Sequence, residues 1–214
     1  MRVKRFIRKA PVFLFCLAPV AWLSWAAVHG LLGANPISEI TKETGTWTLR
    51  FVVLTLVITP VRKLTGWNVL VRYRRMLGLF AFFYGTLHLT TYVWLDQFFD
   101  IASITKDVLK RPFITVGFAA FLLMVPLALT STTGWIRRLG GKRWGALHRL
   151  VYATAVLGVV HYWWLVKADI SRPLAYGAIV ATLLAARLVL RSKAKQAGRG
   201  AMAAGARSVS PAPR

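Results

Sequence analysis

The chain has 214 residues, of which 57% are hydrophobic and 16% charged, with a formal net charge of +23. This composition is too apolar for a water-soluble domain of this size and indicates a multi-pass membrane protein. The basic residues lie in short clusters between apolar runs, a pattern typical of membrane orientation and anionic-lipid contact rather than of nucleic-acid binding. The single cysteine, Cys16, excludes an intrachain disulfide, so the four histidines are the only strong nitrogen ligands for a metal.

Six apolar runs follow one another, each near the ~20 residues that cross ~30 Å of hydrocarbon. The predicted spans are 11–32, 46–63, 76–95, 113–132, 146–166 and 173–190. The first span follows basic residues as a signal peptide would, but its length and the later spans indicate an uncleaved helix. Arg50 lies in the second span, where we expect its side chain to reach the nearer interface. The predicted fold is an all-α membrane protein with a six-transmembrane-helix bundle.

Lysine and arginine are concentrated in alternate connecting segments. Four segments hold 22 of the 29 Lys/Arg and contain no acidic residue: 1–10, 62–75, 137–149 and 187–214. All six acidic residues, with six Lys/Arg, lie in the three intervening segments, which we expect to be outer loops: 33–45, 96–112 and 167–172. Because basic segments stay in the cytoplasm, six spans place both termini there.

The chain therefore divides into three parts. Residues 1–10 form a basic cytoplasmic N-terminus, and residues 11–190 form the six-helix domain. Residues 191–214 form a basic cytoplasmic tail, for which the Ala, Gly, Ser and Pro content predicts disorder.

Two histidines lie at a similar depth in predicted spans that run in the same direction. His88 is 13 residues after Arg75 and eight before Asp96, and His161 is eight before Asp169. An ionisable side chain within a span is costly and marks a functional site. Two imidazoles facing each other suit the axial positions of a haem iron, whereas zinc would need three or four ligands. We therefore predict that His88 and His161 bind an outer haem.

Small residues accompany both of these histidines. Gly85, Ala81 and Gly78 share one helix face with His88, and Gly158 lies one turn from His161. Such a strip leaves room for a flat macrocycle, but small residues also let membrane helices pack closely. Both interpretations stay open, as does a purely structural role in which each histidine bonds a neighbouring helix.

The other two histidines lie nearer the membrane surfaces. His148 is 13 residues before His161, about 20 Å along an ideal helix, which places it near the cytoplasmic interface. It is a candidate ligand of a second haem, although the matching position on the third span is Arg75. The alternative is an interfacial histidine that binds lipid head groups or a phosphate. His29, at the outer end of the first span, is expected at the interface without a ligand role.

Eight segments with their spacing resemble the MsrQ family, formerly YedZ. They are NPISEIT, ITPVRKL, VRYRRMLGLF, YGTLHLTTY, KRPFITVGF, LALTST, LHRLVY and VHYWWLVK, and the similarity covers roughly residues 33–190. MsrQ proteins are the haem-binding membrane subunits of the periplasmic protein-methionine-sulfoxide reductase system. They belong to the ferric-reductase-like transmembrane group, whose members hold b-type haem between histidines on two helices.

This resemblance implies a bacterial inner-membrane protein that takes electrons from the quinone pool, with contacts to quinol and membrane lipids. The electrons would pass through haem b to a periplasmic molybdopterin subunit, its partner in a heterodimer, which reduces methionine sulfoxide in oxidised proteins. The family's histidines carry over onto His88, His161 and His148, which implies one haem at the outer pair or two with His148. Larger relatives carry a second histidine on the third span, where this chain has Arg75. The family is also associated with FMN, for which this sequence has no signature.

The sequence contains no Gly-rich phosphate loop, no nucleophile elbow and no paired intramembrane carboxylates. We therefore predict an electron-transfer subunit rather than the catalytic subunit of an oxidoreductase. Two alternatives remain: a self-sufficient ferric reductase, disfavoured by the missing cytosolic flavin domain, and a proton-coupled transporter with buried histidines. A structural membrane anchor is a third, which the equal depths of His88 and His161 disfavour.

Overall fold

The computed structural model describes residues 9–166 and 168–208, and the predicted basic N-terminus lies almost wholly outside these ranges. All regular elements within the ranges are helical, which confirms the all-α prediction. The α-helices, numbered in chain order, are α1 Ala10–Val28, α2 Pro36–Thr65, α3 Val71–Thr90, α4 Ile101–Lys110, α5 Pro112–Leu129, α6 Thr133–Leu147, α7 Leu150–Leu165 and α8 Ser171–Ser208. A 3-10 turn at Asn68–Leu70 precedes α3, and a π-helical turn at Thr91–Asp96 extends it.

Five helical segments of the described chain are long and apolar enough to cross a membrane. They are α1, α2, α3 with its flanking turns, α5 and the Ser171–Ser192 part of α8. Helix α7 is also apolar, but its 16 residues extend only about 24 Å. The prediction of a multi-pass membrane protein is thus confirmed, and the sixth crossing depends on α7.

The helices form one bundle with an aromatic centre. Helix α2 packs along α3, α5 packs along α7, and α8 closes the bundle against α7 and α2. Phe51 of α2 stacks on Phe80 and Tyr84 of α3, with ring centres 5.6 and 5.2 Å apart. Helix α1 lies at the edge of the bundle, against α2 and α3.

Tyr84 joins α1 to the bundle at a proline. Pro19 lies inside α1 and disturbs the helical hydrogen bonds of the preceding turn. The Val20 N–H donates to the Tyr84 hydroxyl at 3.2 Å, and this hydroxyl donates to the Cys16 carbonyl at 2.9 Å. Because lipid offers no partner for a free backbone group, the tyrosine holds α1 in register with α3.

The segment 33–45, expected to be a loop, is mostly the first three turns of α2. The helix begins at Pro36 because the Asn35 side chain accepts a hydrogen bond from the Ser38 N–H at 3.1 Å. Asparagine at the N-cap followed by proline is a strong helix start. The loop prediction was wrong because it rested on the charge of the segment and passed over this start signal.

Two more predicted loops contain helix. The segment 96–112 includes α4, whose N-cap Asp100 accepts hydrogen bonds from the Ala102 and Ser103 N–H groups. These bonds and the Ser103 hydroxyl hold the pKa of Asp100 below its usual range. The segment 137–149 belongs largely to α6, which bends at Gly140 where φ is 70°.

Arg50 lies near the middle of α2, 14 residues after Pro36 and 15 before Thr65. The expectation that its side chain reaches an interface assumed a helix beginning at residue 46, whereas the helix begins ten residues earlier. Its guanidinium instead lies over the Trp47 ring, 4.4 Å from the centroid, and donates to the Tyr176 hydroxyl at 3.3 Å.

Helix α8 continues to Ser208, into the segment for which composition predicts disorder. The alanines of this segment favour helix, and no proline interrupts it before residue 209. Residues 209–214, the end of the predicted tail, lie outside the described residues.

Candidate functional site

The structure brings His88 of α3 and His161 of α7 together. Their ring centres are 6.1 Å apart and their planes are inclined at 76°. An imidazole binds a metal ion at roughly 2 Å and its ring centre lies about 1 Å behind the nitrogen, so two axial imidazoles have ring centres roughly 6 Å apart. The two histidines therefore have the separation of axial haem ligands.

Each imidazole is held by a backbone carbonyl of a neighbouring helix. His88 Nδ1 lies 2.9 Å from the Thr41 carbonyl of α2, and His161 Nδ1 lies 2.7 Å from the Phe113 carbonyl of α5. A carbonyl only accepts, so Nδ1 carries the proton in both rings and Nε2 has a free lone pair. This second bond is the usual way in which a metal-binding histidine is oriented.

A glycine leaves room for each ring. A Cβ atom at Gly45 would lie 3.0 Å from His88 Nδ1, and one at Gly117 would lie 2.6 Å from His161 Nδ1. Each glycine follows the accepting carbonyl by four residues and so lies on the same helix face. A side chain at either position would push the imidazole away from its carbonyl.

Sequence reasoning missed both supports. A backbone carbonyl has no residue signature, and Gly45 lies in the segment taken to be a loop. The only signal was a glycine just before the predicted span 46–63 and another inside the span 113–132, neither of which carries a histidine of its own. The donor set fits a haem iron, because it offers two imidazoles of the correct tautomer at the correct spacing.

The strip of small residues near His88 serves helix packing. A Cβ atom at Gly85 would lie 3.5 Å from the Thr48 methyl group, and one at Gly78 would lie 3.8 Å from that of Thr55, both on α2. Ala81 between them is 2% exposed. The face is thus filled by α2, which supports close packing rather than space for a macrocycle.

His148 lies in the turn between α6 and α7 rather than on one continuous helix with His161. Its ring stacks on Trp144, with centres 3.8 Å apart, and its Nδ1 lies 3.1 Å from the Trp144 carbonyl. Its Nε2 is buried and has no hydrogen-bond partner in the described structure. His148 therefore has the same tautomer as the outer pair, but no second imidazole faces it.

Two arginines lie near each other at this end of the bundle, and one of them acts on His148. Arg187 of α8 is 6% exposed and donates to the Tyr152 hydroxyl and the Leu56 carbonyl, both at 2.7 Å. The charge of Arg74 acts on both His148 and Arg187, whereas Arg75, the residue predicted from spacing, is exposed. The two ion pairs found among the described residues are both on outer segments, so this cluster has no carboxylate partner there.

The other candidate metal ligands belong neither to the His88–His161 pair nor to the group around His148. His29 is exposed at the end of α1, and its Nδ1 lies 2.8 Å from the Trp25 carbonyl. Among residues 9–166 and 168–208, no three His, Cys, Asp or Glu side chains lie close enough to bind a metal ion together. A multi-ligand zinc site is therefore not formed by this part of the chain.

Comparison with known proteins gives one consistent family. Residues 44–159 match the family model described as ferric reductase like transmembrane component. That range includes His88 and His148 and ends two residues before His161. No solved structure matches the chain.

Three similar curated proteins carry the same name, protein-methionine-sulfoxide reductase heme-binding subunit MsrQ. That of Herminiimonas arsenicoxydans is 56% identical over 84% of this chain and 84% of its own length. That of Rhodospirillum rubrum is 56% identical over 88% and 90%, and that of Xanthomonas campestris pv. campestris is 50% identical over 88% of each chain. The resemblance drawn from the sequence segments is confirmed.

Proposed function

We propose, since this chain belongs to the MsrQ family of heme-binding subunits, that it is a membrane cytochrome subunit of a methionine sulfoxide reductase system. In this role it relays electrons from the quinone pool through haem b to a periplasmic molybdopterin-containing reductase that repairs oxidised proteins. The observation that carries the proposal is the pair His88 and His161, 6.1 Å apart and each bound through Nδ1 to a carbonyl.

When bound, the haem supplies one-electron transfer, and the protein supplies ligation, orientation and burial. His88 and His161 would hold the iron through Nε2. The carbonyls of Thr41 and Phe113 fix the tautomer and the direction of each ring. Because these carbonyls belong to α2 and α5, four helices determine the position of the iron ligands.

The proposal includes six membrane crossings with both termini in the cytoplasm. The two ends of α7 meet the two ends of α3: His161 contacts His88, and the charge of Arg74 acts on His148 just before α7. Helix α7 therefore extends over the same depth as the crossing part of α3, despite its 16 residues. The concentration of 22 Lys/Arg in alternate segments supports the orientation.

The proposal also includes an inner haem held by His148 as its single imidazole. Support comes from the buried, unpartnered Nε2 and from the Nδ1 bond to the Trp144 carbonyl. Arg74 and Arg187 bring positive charge without a carboxylate to this end of the bundle, which suits the acidic edge of a haem. Two haems at two depths would form a path across the membrane.

The periplasmic partner is proposed to dock on the outer surface beside the histidine pair, which is formed by α4 and the start of α2. Asp96 and Lys110 are charged residues of this surface. We expect Asp96→Asn and Lys110→Gln to slow electron delivery to the partner while the haem content stays the same. Unchanged transfer rates in both variants would move the docking site elsewhere.

The direct test uses the purified chain in lipid nanodiscs from the bacterial inner membrane. We expect a b-type absorption spectrum, reduction by a quinol, and reoxidation when the periplasmic reductase and methionine sulfoxide are added. Reoxidation by ferric chelate alone, with no response to the reductase, would favour the self-sufficient ferric reductase. A protein without haem, purified from haem-replete cells, would favour the transporter.

A further inference from the structure

Arg50 is a charged residue at the centre of a membrane-crossing helix. Helix α2 is about 45 Å long and the hydrocarbon about 30 Å thick, so the midpoint of a helix that crosses it lies within the hydrocarbon. Charges at this depth are costly and occur where they bind a partner or a ligand.

The contacts of Arg50 leave most of its donors free. Its Nε bonds the Tyr176 hydroxyl and its plane lies over Trp47. A guanidinium has five N–H donors, and the other four have no partner within the described part of the chain. No acidic side chain there forms an ion pair with Arg50.

A cavity of about 320 Å³ lies beside Arg50, between α1 and α2. Trp22 and Phe15 of α1 form one wall, and Trp47, Arg50 and Glu43 of α2 form the other. Phe15 and Trp22 are 78% and 59% exposed, so the cavity opens sideways between the helices. A lipid-soluble molecule can enter it from the bilayer.

The cavity has a polar group at each end. Glu43 and Arg50 are seven residues apart, which is two turns of helix, so they share a face and are separated by about 10 Å along the axis. Glu43 lies toward the outer end of α2 and Arg50 at its centre. The aromatic walls between them suit a flat ring with oxygen atoms at both ends.

We propose that this cavity binds the head group of the lipid-soluble quinol that donates electrons, a site that rests on the proposed function. Arg50 donates a hydrogen bond to one ring oxygen, Glu43 accepts from the opposite hydroxyl, and Trp22 and Trp47 contact the ring. The depth of Arg50 selects this ligand. A phospholipid phosphate stays at the interface, whereas a quinol head group moves freely within the hydrocarbon.

Aromatic contacts connect the cavity to the histidine pair. The Arg50 guanidinium bonds Tyr176 of α8, whose ring centre is 6.2 Å from that of Tyr162 on α7. Tyr162 is the neighbour of His161 in the chain. These two tyrosines therefore link the cavity to the helix that carries His161.

The reaction at this site balances in electrons and protons. Oxidation of one quinol to the quinone breaks two O–H bonds and releases two electrons and two protons. A bound haem would take up the two electrons one at a time as the oxidant. Glu43 accepts the proton of the hydroxyl that it bonds and passes it to water at the outer face, and the proton of the other hydroxyl is also released to water.

The experiment uses the haem-loaded chain in nanodiscs with a photoreactive azidoquinone as the binding probe. We expect the label on peptides that contain residues 15–22 and 43–50. Loss of a charged hydrogen bond should weaken binding about tenfold, so Arg50→Gln should need about tenfold more probe for equal labelling. Trp22→Ala, which removes one wall, should weaken labelling without touching the Tyr176 bond. Leu54→Ala, one turn from Arg50 and outside the cavity lining, is the matched control.

Rates of haem reduction by decylubiquinol and by dithionite separate the outcomes. We expect Arg50→Gln and Glu43→Gln to slow reduction by the quinol but not by dithionite.

Label elsewhere, or equal labelling of Arg50→Gln and Leu54→Ala, would overturn the cavity assignment. Loss of haem from Arg50→Gln would instead make Arg50 part of the haem site. Wild-type haem that dithionite reduces and quinol does not would contradict the quinol donor itself. Displacement of the probe by anionic phospholipid, but not by excess quinone, would make the cavity a lipid site.

Discussion

The outer histidine group, His88 and His161, contains two imidazoles whose Nδ1 bonds a backbone carbonyl, whereas the inner group contains one, that of His148. At the outer group, two imidazoles face each other, and each is bound by a carbonyl and given room by a glycine. At the inner group, one imidazole, that of His148, has its carbonyl bond, no second imidazole faces it, and the charge of Arg74 acts on it. Under the proposed function, a haem at the inner group would therefore have fewer imidazole ligands than a haem at the outer group.

The difference follows from which helices reach each site. At the outer end, α2 and α5 lie close enough to His88 and His161 for backbone carbonyls to accept directly. This close approach requires Gly45 and Gly117. The inner histidine bonds a carbonyl of its own turn instead, four residues back along the chain, and the Leu127 carbonyl of α5 lies beside its ring.

The largest expected effect comes from filling the space behind an outer imidazole. Gly117→Ala places a Cβ atom 2.6 Å from His161 Nδ1 and should displace the ring. Overpacking of this kind costs about 1–3 kcal/mol, so we expect roughly tenfold weaker haem retention. Gly45→Ala, at 3.0 Å from His88, should have a smaller effect in the same direction.

Haem absorbance per chain after purification measures both variants. Gly158→Ala is the matched control, because its Cβ atom would meet only Leu49 Cδ1 at 3.5 Å, an ordinary contact. Full haem retention by Gly117→Ala would show that haem binding does not depend on the close approach of α5 to His161.

The next effect distinguishes the two sites by ligand number. A haem with one imidazole has an open position, so we expect carbon monoxide to bind the reduced inner haem and not the outer one. His148→Ala should remove the carbon monoxide response and lower the haem content from two per chain to one, while the outer spectrum is unchanged. An unaltered haem content in His148→Ala would leave the protein with a single haem.

The smallest effect tests whether the start of α2 supports the outer site. Asn35→Ala removes the N-cap of α2, a change that costs about 1 kcal/mol of stability. Since Thr41 and Gly45 lie in the first turns of this helix, we expect a small drop in melting temperature with some loss of haem. Asp100→Ala removes the corresponding cap of α4, which holds neither histidine, and should leave the haem content unchanged. Equal haem loss in both variants would mean that the effect is not local to α2.

The meeting of His88 and His161 could be predicted from the sequence. Helices rise by a constant 1.5 Å per residue, so counting residues from the charged ends of two spans gives comparable depths. Histidine also has a residue signature that stands out in an apolar run. These two facts sufficed to pair residues that are 73 positions apart.

The supports of the pair could not be predicted in the same way. Every residue has a carbonyl, and only the packing of α2 and α5 selects those of Thr41 and Phe113. The start of α2 was within reach, because Asn35 and Pro36 form a helix start that the charge pattern obscured. Arg50 was placed at an interface for the same reason, since a helix assumed to begin at residue 46 has its end nearby.

The site of His148 shows a further limit of counting along an ideal helix. The chain turns at His148 and Arg149 between α6 and α7, so the separation of about 20 Å along one ideal helix does not apply. The same counting chose Arg75 as the residue opposite His148. The structure leaves that side chain exposed and places Arg74 near the imidazole instead.

The central claim, that His88 and His161 bind one haem between them, is tested most directly by a reduced-minus-oxidised absorption spectrum. The measurement compares the wild-type chain with His88→Ala and His161→Ala, and His29→Ala serves as the control. We expect a low-spin b-type spectrum in the wild type and in His29→Ala, and its loss or strong alteration in both outer variants. A wild-type spectrum in either His88→Ala or His161→Ala would contradict the assignment.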